Sequence, residues 1–249
     1  MTFTIITPCM NSEKTIERAI NSVLSQTYDD YEYIIIDGES SDATVQIVER
    51  YVKQYPHKIK VVSEQDKGIY DAMNKGISLA TGDIIGILSS NDYYEPNALE
   101  TVKSAYKGDK YAILYGIQNE IDTTGRIVSQ TFVNHKDLRH YNIAHATCFM
   151  TRDLYMDHGG YTLKYKSSSD YEFLLRMSKK EEVVFEPIDS VITNFTEGGI
   201  SSTLLARLET HALKYEYRII SYPHKVIWDM ASRVKAFFVK KITNRGLVT

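Results

Sequence analysis

The sequence predicts an α/β fold around a largely parallel, Rossmann-like sheet flanked by helices. Three observations carry that expectation: apolar, β-branched runs that end beside polar residues, stretches of helical period between them, and a length sufficient for one sizeable core. The chain has 249 residues, of which 43% are hydrophobic. The runs at 3–7, 33–36, 59–62 and 84–88 have the length and boundaries of buried strands. Between the first two, Ile16, Ala19, Ile20, Val23 and Leu24 recur at helical spacing, entered through an Asn11-Ser12 capping signal. Such alternation implies right-handed strand–helix–strand units, whose ligands sit beyond the carboxyl ends of the strands. Further on, a helix is expected after Pro96, a strand at 111–115 and a hairpin turning at Thr123-Thr124-Gly125. Periodicity then weakens until residue 225.

From 225 to 242 the helical signal returns. Val226, Ile227, Met230, Val234, Phe237, Phe238 and Ile242 share one face, and Lys225, Asp229, Arg233 and Lys240 share the other. Two roles stay open for this basic amphipathic helix: its apolar face packs on the domain, or it rests on an anionic membrane surface. Residues 207–249 carry nine Lys/Arg against three Asp/Glu, a net +6, so residues 1–206 carry −9 within a total of −3. The expected organisation is therefore a domain at 1–206 and a basic helical extension at 207–249.

Composition narrows the setting. The two cysteines, Cys9 and Cys148, form neither a metal spacing nor a disulfide framework, which fits a reducing cytoplasm. The first residues lack a basic start followed by a long apolar stretch, and no run reaches bilayer-crossing length, so neither export nor a membrane span is expected. No nucleic-acid partner is expected.

Three acidic residues stand where chemistry is expected. Asp37 ends the second strand in Asp37-Gly38-Glu39-Ser40-Ser41-Asp42, placed to accept a hydrogen bond from a ligand; a strand-end turn explains its neighbours equally well. Asp92 follows the fourth strand in Ser89-Ser90-Asn91-Asp92, where a hard cation needs one or two carboxylates and takes the rest of its shell from phosphate and water; a plain turn is the alternative. Asp170, in Ser167-Ser168-Ser169-Asp170-Tyr171-Glu172, precedes a helical stretch whose dipole alone would favour it.

Taken together, the motifs resemble glycosyltransferase family 2, whose members have the GT-A fold, over residues 4 to about 202. Ile6-Thr7-Pro8-Cys9-Met10-Asn11 is similar to the family's opening strand and Pro-x-Tyr-Asn signature, and residues 15–28 to its first helix. Asp37-Gly38 with Ser40, Ser41 and Asp42 resembles the nucleotide-binding segment. Glu64-Gln65-Asp66-Lys67-Gly68-Ile69-Tyr70-Asp71-Ala72-Met73-Asn74-Lys75-Gly76 and Ala80-Thr81-Gly82-Asp83 resemble the middle block.

The resemblance implies an inverting transferase of bacterial surface-glycan synthesis, moving a sugar from a nucleotide-diphosphate donor, expected to be UDP-linked, to a hydroxyl of a glycan acceptor, a lipid-linked one included. It implies donor contacts from Thr7, Pro8, Met10, Asn11, Asp37, Asp66, Lys67, Gly68, Asn74 and Asn91. Asp92 would hold Mn²⁺ or Mg²⁺ at the DXD motif, and Asp170 would be the base. His145, Gly160, Glu172, Gly199 and Ser201 are candidate acceptor or diphosphate contacts, the glycines of Gly198-Gly199 because they let backbone N–H groups approach an anion. Asn91 stands where the family usually has Asp, and Met10 where many members have an aromatic ring. Two rival readings remain: a degenerate nucleotide-sugar-binding protein, suggested by those departures, and a sugar nucleotidyltransferase, whose early glycine-rich loop is missing. The site would sit in the cytoplasm, at the inner face of the plasma membrane if the basic helix binds it.

Overall fold

The structure, a computed structural model, describes residues 1–122, 124–196 and 203–245, with side chains as far as residue 237. The four predicted strands are β1 (Phe3–Cys9), β2 (Tyr31–Asp37), β3 (Ile59–Ser63) and β4 (Ile84–Ile87), and they pair in parallel in the order β3-β2-β1-β4. Between them run α1 (Ile16–Leu24), α2 (Thr44–Gln54) and α3 (Ile69–Leu79).

β1, β2 and β4 are apolar on both faces because both faces are covered. Phe3, Ile5, Tyr33 and Ile35 point to the side of α1 and α2, where they meet Ile16, Ile20 and Val48. Ile6, Ile34 and Ile36 point to the opposite side and meet Met73 and Ile77 of α3. Gly76 lets α3 lie close, since a Cβ there would come within 2.4 Å of Ile6 Cγ2.

The rest of the sheet is mixed. β5 (Tyr93–Tyr94), α4 (Ala98–Ala105), β6 (Ala112–Ile121) and β7 (Ile127–Thr131) come next in sequence. They are followed by β8 (Phe149–Thr151), α5 (Arg152–His158), α6 (Ser169–Met177) and β9 (Val184–Thr196). β8 lies antiparallel between β4 and β6, β6 pairs in parallel with β9, and β5 and β7 add antiparallel edges. The expected hairpin is the β6–β7 pair, with Gly125 at φ 83° in its turn.

One local expectation needs correction. Asn11-Ser12 does not cap α1, whose N-cap position is Thr15 without a side-chain bond. Asn11 instead sits at φ 49° and accepts from the Ser41 N–H at 2.9 Å, while the Ser12 hydroxyl pairs with that of Ser90 at 2.8 Å, so both tie neighbouring loops together.

The last helices, α7 (Leu204–Glu216) and α8 (Tyr222–Arg245), pack on each other. α8 turns its polar side inward: Asp229 meets His211 of α7 at 2.8 Å, and Lys225 meets Asp229 at 2.6 Å. Ile227, Met230, Val234 and Phe237, spaced along one stripe, are 54–64% exposed. Among the described residues, the apolar face therefore does not pack on the domain. No described helix is long and apolar enough to cross a membrane.

Candidate active site

The loops after β1, β3 and β4 open, with residues 142–146 and 167–170, onto one cleft of about 670 Å³. Pro8, Met10, Asp66, Gly68, Asn91 and Asp92 line it from the parallel half, and Asn142, His145 and Asp170 line the opposing wall. Met10 is 60% exposed there, an apolar surface at the mouth.

Several expected donor contacts are placed otherwise. Asp37 is fully buried, and its carboxylate accepts from the Ser40 N–H at 3.0 Å, from the Ser63 hydroxyl at 2.7 Å and from the Ser40 hydroxyl at 2.5 Å. Its oxygens hold the loops after β2 and β3 rather than facing the cleft. Thr7 is likewise buried and pairs with the Tyr33 hydroxyl. Lys67 is exposed outside the cleft lining, its backbone N–H donating to Asp71. The Asp66 carboxylate accepts from the Gly68 N–H, where φ of 119° suits glycine.

Asn74 and Gly160 form a joint. The Asn74 amide donates to the Tyr161 carbonyl at 2.8 Å and accepts from the Tyr161 N–H at 2.9 Å. A Cβ on Gly160 would fall 2.3 Å from Asn74 Oδ1, so the glycine makes this approach possible. Neither residue lines the cleft.

Asp92 is 2% exposed and accepts from the Thr196 N–H at 3.1 Å. Asn91 returns the bond, its amide donating to the Thr196 carbonyl at 3.2 Å, while Arg18 donates to the Asn91 carbonyl and to the Thr196 hydroxyl. An aspartate at 91 has no hydrogen to give that carbonyl, which gives the departure from the family pattern a structural reason. Burial pushes the Asp92 carboxyl up to about 7, against the Thr196 N–H and the Arg18 charge, which lower it. A buried carboxylate with so little compensation suits a cation. The described residues hold no group of three metal-ligating side chains.

On the opposing wall Asp170, in the first turn of α6, accepts from the Tyr70 hydroxyl at 2.7 Å and from the Asn142 amide at 3.0 Å. Glu172 lies away from the cleft, accepting from Arg176 at 3.2 Å and from the Tyr217 hydroxyl at 2.8 Å. His145 Nε2 pairs with the Tyr161 hydroxyl at 2.8 Å, and burial lowers its pKa although Asp170 pulls the other way. Gly199 and Ser201 lie outside the described residues. Sequence reasoning gave no role to Tyr70 or Asn142. Tyr70 was visible inside the middle block; Asn142 stood in the stretch without periodicity.

The family model described as "Glycosyl transferase family 2" matches residues 4–167, well over half of the chain. The chain belongs to that family. A "PGL/p-HBAD biosynthesis glycosyltransferase" of Mycobacterium tuberculosis is 30% identical over 207 residues, covering 82% of this chain and 80% of that protein. The structure of S. aureus TarS 1-349 in complex with UDP-GlcNAc has a TM-score of 0.70 at 21% identity, covering 92% of this chain and 70% of that one. The mannosyltransferase PcManGT from Pyrobaculum calidifontis, in complex with GDP-Man and Mn²⁺, has a TM-score of 0.61 at 18% identity over 92% of this chain and 68% of that chain. The fold of this glycosyltransferase is thus GT-A. Asp170 and everything after it lie past the stretch matched by the family model, so the placement of Asp170 rests on the chain's own geometry.

Proposed function

We propose that this family-2 glycosyltransferase is metal-dependent and inverting, and that it moves a sugar from a UDP-linked donor onto an acceptor hydroxyl in bacterial surface-glycan synthesis. One observation carries the reading: two carboxylates, Asp92 and Asp170, reach the same cleft from opposite walls, while Glu172 is turned out of it. Asp170 takes the proton of the acceptor hydroxyl as its oxygen bonds to the anomeric carbon, and the bond from that carbon to the diphosphate breaks. A single displacement inverts the configuration and needs no second carboxylate as nucleophile. Asp92 would hold a divalent cation, which would supply charge neutralisation for the leaving diphosphate. The relatives support these assignments by what they bind, a uridine sugar in TarS and a cation in PcManGT. Asp37 serves the donor through the loops it anchors.

The test pairs three variants with a chelation control. Asp170→Asn should bind donor by calorimetry yet lose on the order of a hundred- to ten-thousand-fold in turnover, and Glu172→Gln should stay mostly active. The reverse pattern gives the base to Glu172. Asp92→Ala and exhaustive chelation should each remove most activity; full turnover after chelation would refute the metal assignment.

We also propose that the outward stripe of α8 rests on an anionic bilayer, bringing the cleft toward an acceptor carried on lipid. The stripe supplies apolar surface, and the net +6 of residues 207–249 supplies the matching charge.

A further inference from the structure

The segment Gly68-Ile69-Tyr70-Asp71-Ala72-Met73-Asn74 opens α3 and carries no assigned role in the chemistry above. Tyr70 and Asn74 are four residues apart and therefore share one face of that helix. Both reach across to the wall that carries the base. Tyr70 is buried, and its hydroxyl donates to Asp170 Oδ1 at 2.7 Å. Asn74 clasps the backbone of Tyr161 through both its N–H and its carbonyl. The Tyr161 hydroxyl in turn pairs with His145 and with Tyr155, each at 2.8 Å. The second oxygen of Asp170 is held from its own wall, by the Asn142 amide at 3.0 Å.

We infer that Tyr70 and Asn142 are positioning residues for the base, and that α3 sets the distance between the donor wall and the acceptor wall through Tyr70 and Asn74. The inference rests on the reading of Asp170 as the base. A carboxylate free to rotate presents its lone pairs to the acceptor proton only part of the time, whereas one donor on each oxygen fixes the plane of the group. Burial and the Asp170 charge hold the Tyr70 phenol protonated, so it acts as a donor throughout the working range. Asn74 and Gly160, read from sequence as donor and acceptor contacts, here serve the joint instead.

The experiment measures nucleoside diphosphate release from UDP-glucose, UDP-galactose, UDP-N-acetylglucosamine and GDP-mannose with Mn²⁺, and then follows the fastest donor. Tyr70→Phe and Asn142→Ala should each lower kcat about tenfold to a hundredfold, because small misplacement of a reacting group costs that much, with donor KM within about twofold. In an Asp170→Asn background neither substitution should lower kcat further, since residues acting through one group are not additive. Melting temperatures of all variants separate lost positioning from lost folding. An equal loss from Tyr70→Phe in both backgrounds, or a raised donor KM with kcat kept, would overturn the positioning role. Full turnover of Asp170→Asn alone would instead remove the base assignment, and no release from any of the four donors would remove the reading of the cleft; either takes the positioning role with it.

Discussion

Glu32 shows how one partly buried carboxylate holds three elements at the end of the sheet away from the cleft. Thr4 of β1 donates to it at 2.8 Å, Lys60 of β3 at 2.9 Å, and Thr81 through both its N–H at 2.6 Å and its hydroxyl at 2.7 Å. Burial alone would raise its pKa, but these hydrogen bonds outweigh burial and hold it at about 2, against 4.5 for the free group. A depressed pKa stabilises the fold fully above 4.5, and the stabilisation drains away as pH falls toward 2. Glu32→Gln should therefore cost about 1–3 kcal/mol at pH 7, measured by urea unfolding, and the gap to the parent should narrow between pH 4.5 and 2. A gap that stays constant over that interval would show that the amide's shape, not the charge, is at fault. Glu32 was not legible in the sequence, because its partners come from residues 4, 60 and 81, which only strand pairing brings together. The same reason hid Tyr70 and Asn142. Asp92 and Asp170, by contrast, stand in motifs that the sequence singles out, and the structure sets both in the cleft wall.

At the scale of elements, what could be read was what local pattern dictates. β1, β2 and β4 are buried on both faces, so their sequences are largely apolar runs, and α1 and α3 keep a clean helical period. β9 was missed because its 13 residues alternate exposed, intermediate and buried positions without a fixed period and include Pro187. β8, three residues long, is set by its two neighbours rather than by its own sequence. α7 matters more than its distance from the motifs suggests. Its Glu209 accepts from the Lys166 N–H, the Ser167 N–H and the Ser167 hydroxyl, all between 2.8 and 2.9 Å, just ahead of the turn that presents Asp170. Lys214 donates to the His140 carbonyl and Leu213 is fully buried, so α7 lies along the wall that carries Asp170. Glu209→Ala leaves those donors without their acceptor and should destabilise the fold by about 1–3 kcal/mol in urea unfolding. It should also lower turnover while leaving donor affinity intact; a loss of donor affinity of the same size would place the effect in the parallel half instead.

The whole molecule has two electrical halves, −9 over residues 1–206 and +6 over 207–249, with an apolar stripe on the outside of the basic half. The polar side of α8 is already engaged: Asp229 joins Lys225 and His211, and Trp228 packs edge-on against His211. That leaves Ile227, Met230, Val234 and Phe237 facing out beside Arg233 and Lys235, where a soluble helix would ordinarily carry polar residues. Apolar and cationic attraction together favour a bilayer with negative headgroups, and the cationic part is screened once the Debye length shrinks. The full chain should therefore float with vesicles of phosphatidylcholine and phosphatidylglycerol, float less in about 0.5 M salt, and float least with phosphatidylcholine alone. Ile227→Glu, Met230→Glu and Val234→Glu combined should abolish flotation while leaving the melting temperature unchanged, because all three side chains are exposed. Flotation equal to the parent would rule out the stripe as the contact. A parent that stays with the soluble fraction but elutes as a dimer, reduced to a monomer by the same substitutions, would make the stripe an interface between copies of the enzyme.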